Sequence, residues 1–331
     1  MNAVPEAQSA DPTSALDLLG RQLLFVTGKG GTGKSTIAAA IGELAASLGK
    51  RTLMVEVDAK GNLTDFFEHP RVGYDPVEIR PGLWSMTMNT EDSLREYLQI
   101  FLKMGMMSRI GPLSSIFEFV ANAAPGVKEI LTVGKIAYEA TLTEGVDFKW
   151  DLIVVDAAPT GRIVGQLDAP AAINELFEVG MVRTQTDWMR EVLADPNRTA
   201  LLIVATPEEM PVSETIELYH ATEALDVRLA GVVVNRVLPE LFTTAEEDTF
   251  DRLGDADAVE AAESVVGAPL EPVLEAARLA VTLRRTRVEH IRRLRSEVPL
   301  PMMYVPYLFT RSHGKRATRL VADALAAEMG L

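Results

Sequence analysis

Leu23-Leu24-Phe25-Val26-Thr27, then Gly28-Lys29-Gly30-Gly31-Thr32-Gly33-Lys34-Ser35, then Thr36–Leu48 (TIAAAIGELAASL) decide the fold. The first run is apolar without alternation, the pattern of a strand buried on both faces. The last is Ala-rich and predicts a helix over Ser35–Leu48 that stops at Gly49, a residue suited to the left-handed position past a helix end. Between them stands G-x-x-x-x-G-K-[ST]. Glycines let backbone N–H groups turn inward around phosphate oxygens, and the following helix presents its positive end to them. On this reading Gly28, Lys29, Gly30, Gly31, Thr32, Gly33, Lys34 and Ser35 form the loop that holds phosphates. Lys34 reaches the β- and γ-phosphates, and the Ser35 hydroxyl serves Mg²⁺. The competing reading is a glycine-rich turn with no ligand. A chance match in a chain this long has a probability on the order of one per cent from average residue usage.

Further apolar runs lie outward from this loop: Thr52–Asp58, Asp151–Asp156, Leu201–Thr206, Ala230–Val237 and Met302–Tyr307. Helical segments separate them, which predicts a doubly wound, mostly parallel α/β sheet. Two stretches break the alternation. Residues 91–143 show helical spacing (Leu94, Leu98, Phe101, Leu102), then Met104, Met106, Met107 and Ile116, Phe117, Phe119, Val120. Residues 242–297 are helical and charged, acidic first (Glu246 to Asp257) and basic later (Arg284 to Arg295). The expected organisation is a mobile tail over 1–20 and one nucleotide-binding domain over 21–331. Helical subdomain insertions are expected at about 91–143 and 176–198, and a charged helical segment at about 242–297.

Two carboxylates end predicted strands, Asp58 and Asp156. In an open α/β sheet, ligands sit beyond the carboxyl ends of the strands, so both are expected beside the phosphate loop. One can orient or deprotonate an attacking water and the other can hold Mg²⁺. Alternatively, each caps the helix that follows it.

The second lysine of the loop, Lys29, is not needed to fold it. A GKGGTGKS loop resembles the deviant Walker A of the MinD/ParA/ArsA class of dimeric P-loop ATPases, which implies that Lys29 reaches across a dimer face to the partner's nucleotide. A solvated surface lysine is the alternative. Asp156-Ala157-Ala158-Pro159-Thr160-Gly161-Arg162 with Leu167-Asp168-Ala169-Pro170 is similar to the D-T-A-P-T-G-H…L-x-x-P switch II of the ArsA family. That family includes the arsenite-efflux ATPase and the ATPase that guides tail-anchored proteins to membranes. Pro125-Gly126-Val127-Lys128-Glu129 resembles its P-G-[IV]-x-E. Thr206-Pro207-Glu208-Glu209-Met210-Pro211 with Glu214-Thr215 resembles its P-E-x-x…E-T segment. The resemblance runs from about Arg21 to the C-terminus.

This resemblance implies an α/β fold of the P-loop NTPase type and an Mg²⁺-dependent ATPase that binds ATP and ADP. Gly28 to Thr36 would bind phosphates, Ser35 and Asp156 would serve Mg²⁺, Asp58 would activate water, Lys29 would act in trans, and Glu208 and Asn235 would hold the nucleoside. It implies a homodimer, or a heterodimer with a paralogous subunit, and a client such as a hydrophobic helix or a membrane-associated protein. The chain departs from the family at Asp58-Ala59-Lys60-Gly61-Asn62, where D-P-A-H-N is usual, and at Arg162, where His is usual. A nucleotide-binding regulatory subunit that holds ATP without cutting it is therefore a second reading. A positioning ATPase of the ParA/MinD kind is a third.

Net charge is −15, which argues against binding nucleic acid or anionic lipid without a local basic patch. No cysteine is present, so thiolate catalysis, Cys-ligated zinc and iron–sulfur clusters are excluded. The cysteines that sense arsenite or clamp a zinc-bridged dimer in parts of that family are likewise missing. No apolar run is long enough to span a membrane, and the N-terminus lacks the pattern of a signal peptide. The expected compartment is the cytoplasm, peripheral to a membrane only through a partner. The Met-rich stretch fits either a client groove or an ordinary helical core. The Arg run fits either an acidic partner or lipid headgroups, or else pairing with Glu246–Asp257. His313 fits either a stack on adenine or a plain loop residue.

Overall fold

Leu23–Thr27 forms strand β1 in the computed structural model. The structure describes residues 19–57, 63–103, 126–176, 181–223, 225–240, 242, 243, 246, 247, 256–309 and 314–331. Every residue of β1 is buried. Leu23 and Phe25 enter one apolar cluster, and Leu24 and Val26 enter another. A strand with helices on both faces has no side left for a polar residue, which is why the run does not alternate. Each such side chain contributes about 1.5–3 kcal/mol on burial.

Helix α1 spans Lys34–Ser47. It ends as its sequence predicts: Gly49 takes φ 84°, its N–H donates to the Ala46 carbonyl at 3.0 Å, and the Lys50 N–H donates to Ala45 at 3.1 Å. The chain then runs through β2 (Thr52–Glu56), β3 (Val77–Arg80) and β4 (Leu83–Thr87) to α2 (Thr90–Lys103) and α3 (Val127–Thr141). A small antiparallel pair follows, β5 (Thr143–Glu144) and β6 (Asp147–Phe148), before β7 (Leu152–Asp156). Next come α4 (Thr160–Leu176), α5 (Met181–Ala194), β8 (Thr199–Ala205), α6 (Glu209–Thr222) and β9 (Leu229–Val237). The chain closes with α7 (Ala256–Val266), α8 (Glu271–Glu297), β10 (Met302–Pro306) and α9 (Lys315–Met329).

Eight strands form one sheet in the order β10-β9-β8-β1-β7-β2-β4-β3. All neighbours are parallel except β3 and β4. One face carries α1 and α9, through Ile37, Ile41, Val321 and Leu325. The other carries α3, α4, α5, α6 and α8, through Ile136, Ile163, Val192, Val212 and Leu294. From β1 the chain first builds outward on one side to β2 and β4. It returns to β7, then crosses to β8 on the other side of β1. The carboxyl end of β1 is therefore the point where strand order reverses, the place where ligands settle in such sheets.

Strands β3 and β4 and the β5–β6 pair are additions to the expected set. Met104, Met106, Met107, Ile116, Phe117, Phe119, Val120 and His313 lie outside the described residues. No helix among the described residues is long and apolar enough to cross a membrane.

The helices after β4 are tied to the sheet by a polar cluster. Lys135 of α3 has a side chain 6% exposed, 2.9 Å from Glu96 of α2 and 3.1 Å from Glu139 of α3. Trp150, just before β7, donates its indole N–H to Glu139 at 2.9 Å, and the Tyr74 hydroxyl donates to Glu96 at 2.6 Å. Desolvation alone would lower the Lys135 amine. Glu139 and Glu96 outweigh it, and the net shift is upward from the ordinary lysine value.

Candidate functional site

Four segments meet beyond the end of β1: the glycine loop, the segment after β7, the start of α6 and the end of β9. The loop needs its glycines for stated reasons. Gly28 has φ 148°, and a Cβ there would lie 2.1 Å from the Val204 carbonyl oxygen of β8. Gly31 and Gly33 take φ 91° and 92°, conformations that cost an L side chain energy. A Cβ on Gly30 or Gly31 would meet nothing within 4 Å, so these residues border open space. The loop is braced from inside: Thr32 Oγ1 donates to the Lys29 carbonyl at 2.9 Å, and Lys34 Nζ to the same oxygen at 3.4 Å.

Asn235, at the end of β9, braces it from outside. Its Nδ2 donates to the Thr32 carbonyl at 2.8 Å, and its Oδ1 accepts from the Arg236 N–H at 2.9 Å. A Cβ on Gly33 would come within 2.4 Å of that Nδ2. One glycine and one amide thus make a close contact that ties the loop to the far side of the sheet. Thr36 stands in the first turn of α1, its Oγ1 3.9 Å from the same Cβ position.

Ser35 and Asp156, expected together, are together. Ser35 Oγ donates to Asp156 Oδ2 at 2.5 Å. The segment past Asp156 is bound to β1, with Ala157 N–H donating to Val26 O at 3.0 Å and Thr27 Oγ1 to Ala158 O at 2.7 Å. Asp58 and the following residues to Asn62 lie outside the described residues.

Glu208 directly precedes α6, and its side chain is about half exposed. Arg287 of α8 stands 3.6 Å from its carboxylate and also donates to the Arg236 carbonyl at 3.2 Å. Arg287 therefore spans the ends of β8 and β9, where Glu208 and Asn235 stand. The Arg run is largely engaged with the chain itself: Arg284 with Glu240, Arg285 with Glu247, and Arg293 with Ser213 and Glu297.

Lys29 is ion-paired with Glu214 of α6. The other oxygen of Glu214 accepts from Thr160 Oγ1 at 2.9 Å, and the Thr160 N–H donates to Gly28 O at 3.3 Å. Lys29 holds the Glu214 carboxyl below the usual carboxylate range, with Thr160 adding to the effect and desolvation opposing it. Neither Glu214 nor Arg287 was singled out by sequence reasoning. Glu214 stood inside a quoted motif without a role, and Arg287 inside a charge run. Their partners are far off in sequence, so no local pattern announces them.

The residues fit phosphates and Mg²⁺. Gly30 and Gly31 border open space just before the N-terminus of α1, and a helix N-terminus favours an anion. A serine hydroxyl beside a carboxylate is a hard oxygen pair, the kind of one- or two-ligand protein contribution Mg²⁺ takes when phosphates supply the rest.

The sequence model of a family described as "Anion-transporting ATPase" matches residues 21–187 and 179–252. The chain is 34% identical over 284 residues to "ATPase BagA" of Mycobacterium tuberculosis, covering 82% of each chain. It is 26% identical over 272 residues to "ATPase ASNA1 homolog 1" of Paramecium tetraurelia, covering 70% of this chain and 80% of that one. It is 28% identical over 252 residues to "Arsenical pump-driving ATPase" of Escherichia coli, covering 70% of this chain but 41% of that longer protein.

Proposed function

Because the chain belongs to the anion-transporting ATPase family, we propose that it binds ATP with Mg²⁺ and hydrolyses it as a nucleotide-gated dimer. The observation that carries this reading is the Ser35–Asp156 contact at 2.5 Å, directly under a glycine loop at the reversal point of the sheet. Hydrolysis of this kind works by positioning and electrostatics: water displaces the leaving ADP from the γ-phosphorus, and the protein forms no covalent bond. Residues 28–36 grip the phosphates. Lys34 supplies a fixed positive charge, and Ser35 and Asp156 give Mg²⁺ its protein oxygens. Mg²⁺, when bound, neutralises charge on the phosphates. Asp58 orients or deprotonates the water. Lys29 delivers a second cation from the partner protomer. Glu208 and Asn235 hold the nucleoside, with ADP left in the same site after the reaction. The dimer joins two copies of this chain or this chain and a paralogue. Its opening and closing is transmitted through the helices between β4 and β7 to a client, a hydrophobic helix or a membrane-associated protein.

Phosphate release measured with purified protein and Mg²⁺–ATP tests the reading. Lys34→Ala is expected to abolish ATP binding, and Lys29→Ala to leave binding intact while slowing turnover by roughly 10³-fold or more, the worth of a cation delivered in trans. A chain that binds no ATP in calorimetry overturns the reading. ATP bound and left intact for hours favours the regulatory-subunit reading, which the altered segment Asp58-Ala59-Lys60-Gly61-Asn62 supports.

A further inference from the structure

The carboxylate of Glu214 joins two pieces of the site that come from different elements. One oxygen accepts from Lys29 Nζ, in the phosphate loop. The other accepts from Thr160 Oγ1, the first residue of α4. An open groove of about 650 Å³ runs beside this bridge, walled by Pro159, Thr160, Val164, Glu217 and Leu218. The Lys29 and Glu214 side chains are 28% and 27% exposed. The pair is therefore neither free in water nor locked away, and its open side gives the lysine a way out.

A single ammonium cannot be ion-paired with Glu214 of its own protomer and also reach a nucleotide on another. The two positions exclude each other, so the strength of the Glu214 contact is subtracted from any trans engagement. We propose that Glu214 is a positioning residue that holds Lys29 in cis and gives it up to the nucleotide of a second, docked copy of the chain. This rests on the trans role of Lys29 stated above. Thr160 couples the hold to the segment after Asp156, because a shift at the start of α4 withdraws one of the two hydrogen bonds that fix the carboxylate. Release leaves Glu214 partly exposed and able to rehydrate, so the hold is weak enough to be overcome by a polyphosphate, which carries more charge than a carboxylate.

An ion pair of this exposure changes an equilibrium by up to about fivefold. A symmetric dimer opens two of them. Sedimentation velocity on the full chain with Mg²⁺ and the non-hydrolysable analogue AMP-PNP reads the effect as the dimer dissociation constant. Glu214→Gln is expected to tighten the dimer by up to about 25-fold, Lys29→Ala to weaken it, and the double variant to match Lys29→Ala. Thr160→Val, which removes the other hydrogen bond, is expected to shift the constant the same way by less, and it carries the test should Glu214→Gln fail to fold. If Glu214→Gln and Thr160→Val behave as wild type while Lys29→Ala weakens the dimer, Glu214 does not hold the lysine. A Glu214→Gln effect that survives in the Lys29→Ala background overturns the proposal equally. AMP-PNP binding with a dimer indifferent to Lys29→Ala overturns the trans role itself, and this proposal with it.

Discussion

Arg287 shows how one side chain can tie a nucleotide site to an element far along the chain. Its guanidinium faces Glu208 at 3.6 Å and donates to the Arg236 carbonyl at 3.2 Å. Arg236 takes φ 60° just after Asn235, where β9 shifts register against β10. Without Arg287, a half-exposed Glu208 has several rotamers to choose from, and under the nucleoside role proposed for it, ligand binding must supply the ordering cost. On that proposal the effect belongs to ground-state binding, because the phosphates are assigned to residues 28–36. Arg287→Ala is expected to raise KM for ATP about two- to fivefold, the range of an exposed ion pair, with kcat nearly unchanged. The same substitution made on Glu208→Ala should then change KM little. Steady-state kinetics on the four proteins decides it, and a loss confined to kcat would remove Arg287 from this role.

At the scale of elements, the cluster around Lys135 decides whether the helices after β4 stay on the sheet. Lys135, Glu96, Glu139, Tyr74 and Trp150 come from α2, α3, the segment before β3 and the segment just before β7. Removing one partner of a buried ion pair leaves uncompensated charge, at a cost of roughly 3–5 kcal/mol. Lys135→Met keeps most of the volume but leaves Glu96 and Glu139 without their cation, so calorimetry should show Tm lowered by several degrees. The folded-state amine sits above its ordinary value. Its contribution is therefore fully present below the ordinary lysine value and is lost as pH rises through the raised one. The gap in Tm between wild type and variant should persist through neutral pH and narrow only in strongly alkaline buffer. A gap of less than a degree at pH 7 would mean the cluster does not anchor these helices. This cluster was not legible in the sequence, whereas the central strands were. β1, β2, β7, β8 and β9 are apolar on both faces, and that needs no knowledge of the rest of the chain. β3 reads Val-Glu-Ile-Arg and lies at the sheet edge with all four residues partly or largely exposed. β4 mixes Trp and Ser into its run. Neither carries the continuous apolar signature. The phosphate loop was legible because its chemistry is written in consecutive residues. The Ser35–Asp156 contact followed from strand topology. The Glu214 and Arg287 contacts depend on helix placement, which no local pattern encodes.

For the whole molecule, the charge of −15 sets the conditions under which two copies can meet. Like-charged protomers repel over the Debye length, about 30 Å at 0.01 M ionic strength and about 10 Å at 0.1 M. The contacts that would favour closure, lysine on phosphate above all, act at short range in a partly desolvated site, where salt screens them less. Added salt should thus relieve repulsion more than it weakens attraction. The Lys29–Glu214 pair, more than a quarter exposed, is also loosened by salt, which acts in the same direction. The proposed nucleotide-dependent dimer is therefore expected to tighten between 0.01 M and 0.1 M ionic strength. A basic protein on a polyphosphate does the reverse, losing affinity along a steep negative slope with salt. Sedimentation velocity with AMP-PNP and Mg²⁺ at the two ionic strengths reads the sign directly. A dimer that loosens as salt rises would mean that charge pairs across the interface outweigh the net repulsion, and that the acidic surface faces away from the partner.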